Sequence, residues 1–425
     1  MAQQKTDSPR RSFLRRVMGD SIWSIAGLML MNLAAQFAVY PLWNRRLGNE
    51  SYGHILFLLS AMNILAVSMG TACNYGRMKE SAERETGNRT YLRMLAWASL
   101  AAVPYMIVAS LLSGAGMSPA ETALLVLLTV ATMWRFYADV GYRLTLNYRG
   151  FFLYYLTVSL GYGVGVALFL RTGLWPLALL PGELAGLCLV LLRGHVLRPE
   201  PEREPEAVAR RVTRVILTLC ATEVINNLIF NGDRVLLNAL LDGTAVSLYY
   251  QASLLGKTMA LIATPLNSVL IGYLSRYEGG LDRRLMKRIA AASLAALAVV
   301  TAACTLAAHL LIQLLYPQNY ALVRGYFPVA NLAQVAYFIS GIVATVLLRY
   351  CRIRYQLYIN LVYAGLFLGL CLPAALLRGL DGFCLALLAV CLARLGFVLF
   401  LGARSAWTGK GLNDNETQGS AGPVL

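Results

Sequence analysis

Long apolar segments alternate with short polar segments along almost the whole chain. A transmembrane helix needs about 20 mostly apolar residues, and we count twelve segments of this kind. They cover approximately residues 20–43, 53–76, 94–113, 121–141, 151–170, 176–196, 212–241, 246–272, 289–315, 326–348, 357–377 and 382–403. The pattern predicts an all-α polytopic membrane protein with twelve transmembrane helices.

One polar segment near the middle of the chain is different from the other connections. It runs from Arg198 to Glu206, is rich in proline and mixes both signs of charge, which is typical of a solvated linker. It divides the apolar segments into two sets of six, as in transporters built from two repeats. We therefore predict five parts, which are a cytoplasmic N-terminal segment (1–19), an N-lobe (20–196), a cytoplasmic linker (197–211), a C-lobe (212–403) and a cytoplasmic tail (404–425).

Composition and charge agree with a membrane protein and predict its orientation. Hydrophobic residues make up 58% of the 425 residues and charged residues only 14%, against about 25% charged in soluble domains. This composition argues against a large soluble enzyme. The basic residues fall in short clusters between apolar runs, a pattern expected of cytoplasmic loops and not of a nucleic-acid-binding protein. Of the 37 Lys and Arg residues, 28 fall in segments that are cytoplasmic if the N-terminus is inside, and five fall outside. This bias predicts that both termini are cytoplasmic.

Motifs for enzymatic chemistry are missing from the sequence. It contains no P-loop, no GxSxG, no HExxH and no Cys/His spacing of a metal site. We therefore expect no enzymatic activity, no cofactor and no metal.

The seventh apolar segment carries the richest set of polar residues. Glu223, Asn227, Asn231 and Arg234 follow one another at spacings of 4, 4 and 3, so all four share one helical face. Such a stripe is expected to line a water-filled cavity, or to join helices by hydrogen bonds.

Lys257 lies in the eighth segment, near the predicted midplane of the membrane. Glu223 reaches a similar level, so the two are expected to pair. The pair is either a structural ion pair or a phosphate-binding lysine whose charge the acid holds until substrate arrives.

The first two segments carry further polar stripes. Asn32, Gln36 and Tyr40 follow one another at i+4 in the first segment, and Asn63 belongs to a stripe in the second. The seventh and eighth segments carry polar residues in the same way. The parallel predicts that the first, second, seventh and eighth segments line one shared path, and close packing of helices through small residues is the alternative.

Several other charges lie within apolar segments. Arg135 and Asp139 are expected to form an i,i+4 ion pair. Arg394 and Glu183 are single charges, and we expect Arg394 to have a structural role. The buried cations are expected to cancel the buried acids four against four. The cations are Arg135, Arg234, Lys257 and Arg394, and the acids are Asp139, Glu183, Glu223 and Asp233.

Three stretches resemble a known family. PLWNRRLGNESYG at 41–53 resembles the R-x-LG-x-x-x-YG turn between the first two helices of polysaccharide-export flippases. The stretch 233–257 resembles their D-x-x-LL…Y-Y-x-A passage from the seventh to the eighth helix, and LLYP at 314–317 resembles the end of their ninth. The likeness is to the multidrug/oligosaccharidyl-lipid/polysaccharide exporter superfamily and covers nearly the whole chain.

The resemblance implies two six-helix lobes around a central cavity and alternating access in the cytoplasmic membrane of a bacterium. The implied substrate is an undecaprenyl-diphosphate-linked oligosaccharide for O-antigen, capsule or related surface polysaccharide. Lys257 and Arg234 are placed to meet its diphosphate, with Arg45 and Arg46 at the outer mouth. A coupling ion (proton or sodium), membrane lipid, and glycosyltransferases or a polymerase of the same pathway are the expected partners.

The residues leave two other functions open. One is a cation-coupled multidrug antiporter of the same superfamily, for which Glu223 is the acidic residue on hand. The other is a membrane polysaccharide polymerase or ligase, which generally needs a larger outside loop than this sequence has. Lipid II flippases of the superfamily usually have fourteen spans, two more than we count.

Overall fold

The computed structural model describes residues 22–83, 87–193, 196–198, 205–274, 282–347 and 354–408. All regular secondary structure in these ranges is helical. The predicted N-terminal segment 1–19, residues 199–204 of the predicted linker and residues 409–425 of the predicted tail lie outside the described residues.

The chain forms two compact units, Met1–Ala239 and Leu240–Leu425. The boundary differs from the predicted lobe boundary, because almost all of the seventh apolar segment groups with the first unit. The six-plus-six lobe arrangement stays a prediction.

Unit 1 begins with one long helical stretch that is broken by a glycine. Gly48, within Tyr40–Met62, has φ 83° and ψ 173°, a conformation that glycine adopts without steric cost. We call the parts before and after this glycine α1 (22–47) and α2 (49–83). The remaining helices of the unit are α3 (Arg89–Leu112), α4 (Pro119–Ala138), α5 (Val140–Leu144), α6 (Tyr148–Thr172), α7 (Leu180–Arg193) and α8 (Glu206–Leu240).

Unit 2 is also helical and has a similar break near its end. Its helices are α9 (Gly243–Leu274), α10 (Arg283–Leu315), α11 (Tyr320–Val323) and α12 (Phe327–Leu347). Helical structure then continues from Arg354 to Thr408, with non-helical angles at Gly379. The parts before and after this glycine are α13 (354–378) and α14 (380–408).

Local sequence signals explain several of the helix ends. Ser118 and Glu121 form a reciprocal capping box ahead of α4, with Pro119 in its first turn. The Asp282 side chain accepts a hydrogen bond from the Leu285 amide at the start of α10. Gly173 takes a left-handed conformation at the end of α6.

Close packing of α6 against α7 depends on small residues. A Cβ atom added at Gly161 would lie 2.5 Å from the Gly182 Cα, and one added at Gly186 would lie 2.8 Å from Val158 Cγ2. Helices in a membrane gain little from hydrophobic burial against one another, so close backbone approach of this kind stabilises their packing.

Eight helical stretches among the described residues are long and apolar enough to cross a membrane. The two longest, Ile22–Ser81 and Tyr358–Ala406, contain the breaks at Gly48 and Gly379. The structure therefore agrees with an all-α membrane protein, and the count of twelve crossings stays a prediction.

Candidate functional site

Polar contacts join α2 and α8 along most of their length. Asn227 Nδ2 donates to Ser68 Oγ at 3.0 Å, and Arg234 Nη1 lies 3.5 Å from Ser60 Oγ. Near one end of the pair, His54 Nδ1 lies 3.0 Å from Asn238 Oδ1. The residue numbers fall along α2 as they rise along α8, so the helices are antiparallel, and we call this line of contacts the seam.

The opposite end of the seam is an ion pair. Arg211 Nε lies 3.2 Å from a carboxylate oxygen of Glu80, and Glu80 is only 2% exposed. Between the two ends, a Cβ atom at Gly76 would lie 3.3 Å from Ile216 Cγ1, so the two helices approach closely there.

The seam changes the interpretation of the predicted polar stripe on α8. Asn227 and Arg234 hydrogen-bond to α2, and Asn231 is buried and donates to the Asn227 carbonyl at 3.0 Å. This part of the stripe joins helices, which is the alternative that the spacing left open. Glu223 is half-buried and makes no ion pair with the described residues.

A second polar stripe runs along α8 beside the seam. Thr218, Thr222 and Asn226 follow one another at i+4 and are exposed. The two threonine hydroxyls donate to carbonyls one turn earlier, so they are satisfied within the helix. The adjoining face of α8 exposes Leu217, Ile225 and Leu228, as expected where a helix meets lipid.

An exposed asparagine in the middle of an apolar helix is stable only beside water or a polar ligand. The stripe of Thr218, Thr222 and Asn226 therefore suits the wall of a polar path. These three residues are not part of the predicted stripe, although their i+4 spacing is a signal that could have found them.

The predicted residues of the first two segments are half-buried. Gln36 lies in a π-helical stretch, Ala34–Val39, and Asn63 begins another, Asn63–Val67. Asn32 donates to the Leu28 carbonyl at 2.8 Å. Wide helical turns of this kind are frequent at functional sites, and both contain amide side chains that are partly exposed.

Arg45 and Arg46 are exposed and precede the break at Gly48. Their assignment to the outer mouth stays a prediction, because it depends on the orientation in the membrane.

The buried charges of unit 1 pair differently from the prediction. Arg135 forms its ion pair with Glu183 of α7, and Tyr162 donates to the other oxygen of Glu183 at 2.7 Å. The predicted i,i+4 pair with Asp139 is wrong. Asp139 instead accepts hydrogen bonds from three other side chains, which are Arg143 at 3.1 Å, Tyr155 at 2.8 Å and Asn74.

Lys257 is buried in unit 2, with Nζ 5.9 Å from the centre of the Tyr249 ring. The amide of the preceding residue, Gly256, donates to Asn331 Oδ1 at 2.8 Å. The predicted Glu223–Lys257 pair would join a residue of unit 1 to a residue of unit 2, and it stays a prediction.

Comparison with known proteins identifies the fold. No family model matches the chain, and no curated protein does. Solved structures match over most of their length. A structure titled as the lipid II flippase MurJ in an inward closed conformation matches with a TM-score of 0.66 and 14% identity over 91% of this chain and 90% of that chain.

Two further structures match over similar lengths. An inward-facing multidrug resistance MATE family transporter of the MOP superfamily matches with a TM-score of 0.65 and 13% identity, over 92% of this chain and 99% of that one. A MOP superfamily transporter from Pyrococcus furiosus matches with a TM-score of 0.58 and 15% identity, over 93% and 95%. The chain has the fold of MOP superfamily transporters. This likeness shows the fold of a multi-pass membrane protein.

Proposed function

We propose that the protein is a flippase for undecaprenyl-diphosphate-linked oligosaccharide. It moves this lipid from the cytoplasmic to the outer leaflet of a bacterial cytoplasmic membrane by alternating access, for the synthesis of O-antigen, capsule or a related surface polysaccharide. The proposal includes twelve membrane crossings in two six-helix lobes around a central cavity, with both termini in the cytoplasm.

The exposed polar stripe of α8 is the observation that carries the proposal. Thr218, Thr222 and Asn226 give a membrane helix a face that suits water and hydroxyl groups. Sugars need neutral hydrogen-bonding partners of this kind, and unpaired charge cannot cross hydrocarbon unaided. A polar path would take the oligosaccharide headgroup while the polyprenyl tail stays in lipid.

Other residues extend the proposed path with both neutral and charged groups. Asn32, Gln36 and Asn63 would add neutral partners from α1 and α2, and Lys257 would meet the diphosphate. Arg234, the second cation predicted for this role, is hydrogen-bonded to Ser60 in the seam. The sequence motifs shared with polysaccharide-export flippases support this substrate, as does the fold likeness to a structure titled as a lipid II flippase. The predicted set also includes Glu223, Asn227 and Asn231, of which Asn227 hydrogen-bonds to Ser68 in the seam and Asn231 donates to the Asn227 carbonyl. Arg45 and Arg46 would receive the headgroup at the outer mouth.

Flipping of a fluorescent polyprenyl-diphosphate oligosaccharide in proteoliposomes tests the proposal. We expect Asn226→Leu to slow flipping by about tenfold, because one or two hydrogen bonds to the moving headgroup are lost. Ile225→Leu, one residue away on the adjoining apolar face, is the matched control and should flip at the wild-type rate. Absence of flipping by the wild-type protein, at normal folding, would overturn the proposal.

Lys257→Ala tests the role of the predicted diphosphate cation in cells. We expect export of the surface polysaccharide to fall in a complementation assay while the amount of protein in the membrane stays normal. Full export by this variant would remove Lys257 from the substrate site.

A cation-coupled multidrug antiporter is the second candidate. The half-buried Glu223, which forms no ion pair with described residues, is the observation that favours it, since a coupling acid must exchange a cation. Dye efflux that depends on a sodium or proton gradient and is lost in Glu223→Gln would support this function over the first.

A further inference from the structure

The buried charges are distributed unevenly between the two units. In the described part of unit 2, the buried charged residues are Lys257 and Arg394, with no buried acid. Over the described residues the buried cations and acids number four each, with Glu80 in place of Glu223, but they do not cancel within unit 2. In the described part of unit 1, by contrast, acids outnumber cations, with Glu80, Asp139, Glu183 and Asp233 against Arg135 and Arg234.

Arg394 lies near the middle of α14 and is only 7% exposed. Its guanidinium carbon is 4.2 Å from the centre of the Tyr337 ring and 5.3 Å from that of Tyr363. Nη1 donates to the Tyr337 carbonyl at 3.3 Å. Among the described residues, Nε has no hydrogen-bond partner, and no carboxylate lies within 4.0 Å of the guanidinium.

These surroundings suit a binding residue better than a structural one. Aromatic rings and the Tyr337 carbonyl offset part of the cost of burying a guanidinium, but no acid among the described residues balances its charge. A guanidinium presents five donors in a planar fork that fits the oxygens of a phosphate or carboxylate. The donors that remain on Arg394 therefore match an oxyanion.

Helix α12 connects Arg394 with Lys257. Gln334 of α12 donates to the Tyr249 hydroxyl at 2.8 Å, and the Tyr249 ring is the one that faces Lys257. Tyr337, which stacks on Arg394, lies one turn further along the same face of α12. Consecutive turns of α12 thus contact the surroundings of both buried cations in the described part of unit 2, through Tyr249 beside Lys257 and through Tyr337 beside Arg394.

The described residues leave room beside this arrangement. Gly341 lies one turn beyond Tyr337 on the same face of α12, and a Cβ atom added there would meet none of them within 4 Å. On α13, the chain after Tyr363 enters a π-helical stretch, Phe367–Cys371, of the kind that is common near ligands.

We propose that Arg394, between Tyr337 and Tyr363, is an oxyanion-binding site of unit 2 that takes a phosphate or carboxylate group. This inference rests on the proposed function only for the identity of the molecule that carries the anion. The anion is either the diphosphate of the carrier lipid or the carboxylate of an acidic sugar.

Calorimetric titration of the purified full-length protein in detergent tests the site. The probes are inorganic diphosphate and glucuronate at one fixed salt concentration. We expect Arg394→Gln to weaken binding of the preferred probe by about tenfold or more, since charge-assisted hydrogen bonds are lost. Arg404→Gln, at an exposed arginine of the same helix, is the matched control and should bind as the wild type does.

Arg394→Lys keeps the positive charge and tests the same site if the glutamine variant does not fold. It should bind several-fold more weakly, because lysine lacks the planar fork. Preference for diphosphate would identify the carrier lipid as the source, and preference for glucuronate would identify the glycan. Binding of neither probe, or equal affinity in wild type and both variants, would overturn the site.

The proposed function can fail separately. Binding that depends on Arg394 in a protein that flips no lipid-linked oligosaccharide would leave the site standing and remove the function. Normal flipping by Arg394→Gln, with unchanged affinity for both probes, would leave the proposed function standing and remove the site.

Discussion

Single residues show most clearly how this protein satisfies charge in an apolar surrounding. Arg135 and Glu183 are 2% and 3% exposed, and each would be strongly destabilising without the other. Tyr162 donates to Glu183, and the Tyr154 hydroxyl donates to the Arg135 carbonyl at 3.1 Å. The pair is therefore embedded in a network that joins three helices of unit 1.

Breaking this pair should destabilise the protein strongly. We expect Glu183→Gln to lower the free energy of unfolding by about 3–5 kcal/mol, because it leaves the Arg135 charge buried without a counter-charge. Chemical unfolding in detergent micelles measures the change. Glu206→Gln removes one partner of the exposed Glu206–Arg210 pair and should have little effect; equal losses in the two variants would contradict this role of the buried pair.

At the scale of helices, the positions of glycine residues decide which helices can approach one another closely. Gly161 faces the backbone of α7, whereas a Cβ atom at Gly163, two residues along the same helix, would meet no described residue within 4 Å. The two glycines lie in similar local sequence and differ in what lies opposite them.

We expect Gly161→Ala to destabilise the protein by about 1–3 kcal/mol, since the added methyl group must push α6 and α7 apart. Gly163→Ala should be neutral or slightly stabilising, because alanine favours the helix more than glycine does. Thermal unfolding of the two purified variants, followed by size-exclusion chromatography, distinguishes them. A melting temperature that falls equally in both would show that helix propensity, and not the approach of α7, is decisive.

At the scale of the whole molecule, the excess of positive charge bears on the predicted orientation more than on the substrate. The formal net charge is +16, and most cations fall in segments predicted to be cytoplasmic. Cations in short loops hold those loops on the cytoplasmic side, so this surplus is consistent with many substrates.

Reporter fusions test the predicted orientation. Alkaline phosphatase, which is active only outside the cytoplasm, should be active when fused after Gly173 and inactive when fused after Glu206 or Leu425. A green fluorescent protein fused after Leu425 should fluoresce. Phosphatase activity at the C-terminus would mean an odd number of crossings or the opposite orientation.

The amino-acid sequence determined the class of this protein because a membrane helix is selected locally. Length and hydropathy of each segment, and the cations that flank it, predict helices and orientation without knowledge of their neighbours. The i+4 spacing along α8 also showed that its polar residues share faces.

Only the tertiary structure decided which partner each polar side chain has. Asn227 and Arg234 meet α2 in the seam, and Arg135 pairs with Glu183, 48 residues away, instead of with Asp139 one turn along the chain. The uneven division of buried charge, with Arg394 lacking a nearby acid among the described residues, was also invisible in the sequence. The reason is physical, since a buried charge is stabilised by whatever lies within a few ångströms, and the fold brings those groups from distant parts of the chain.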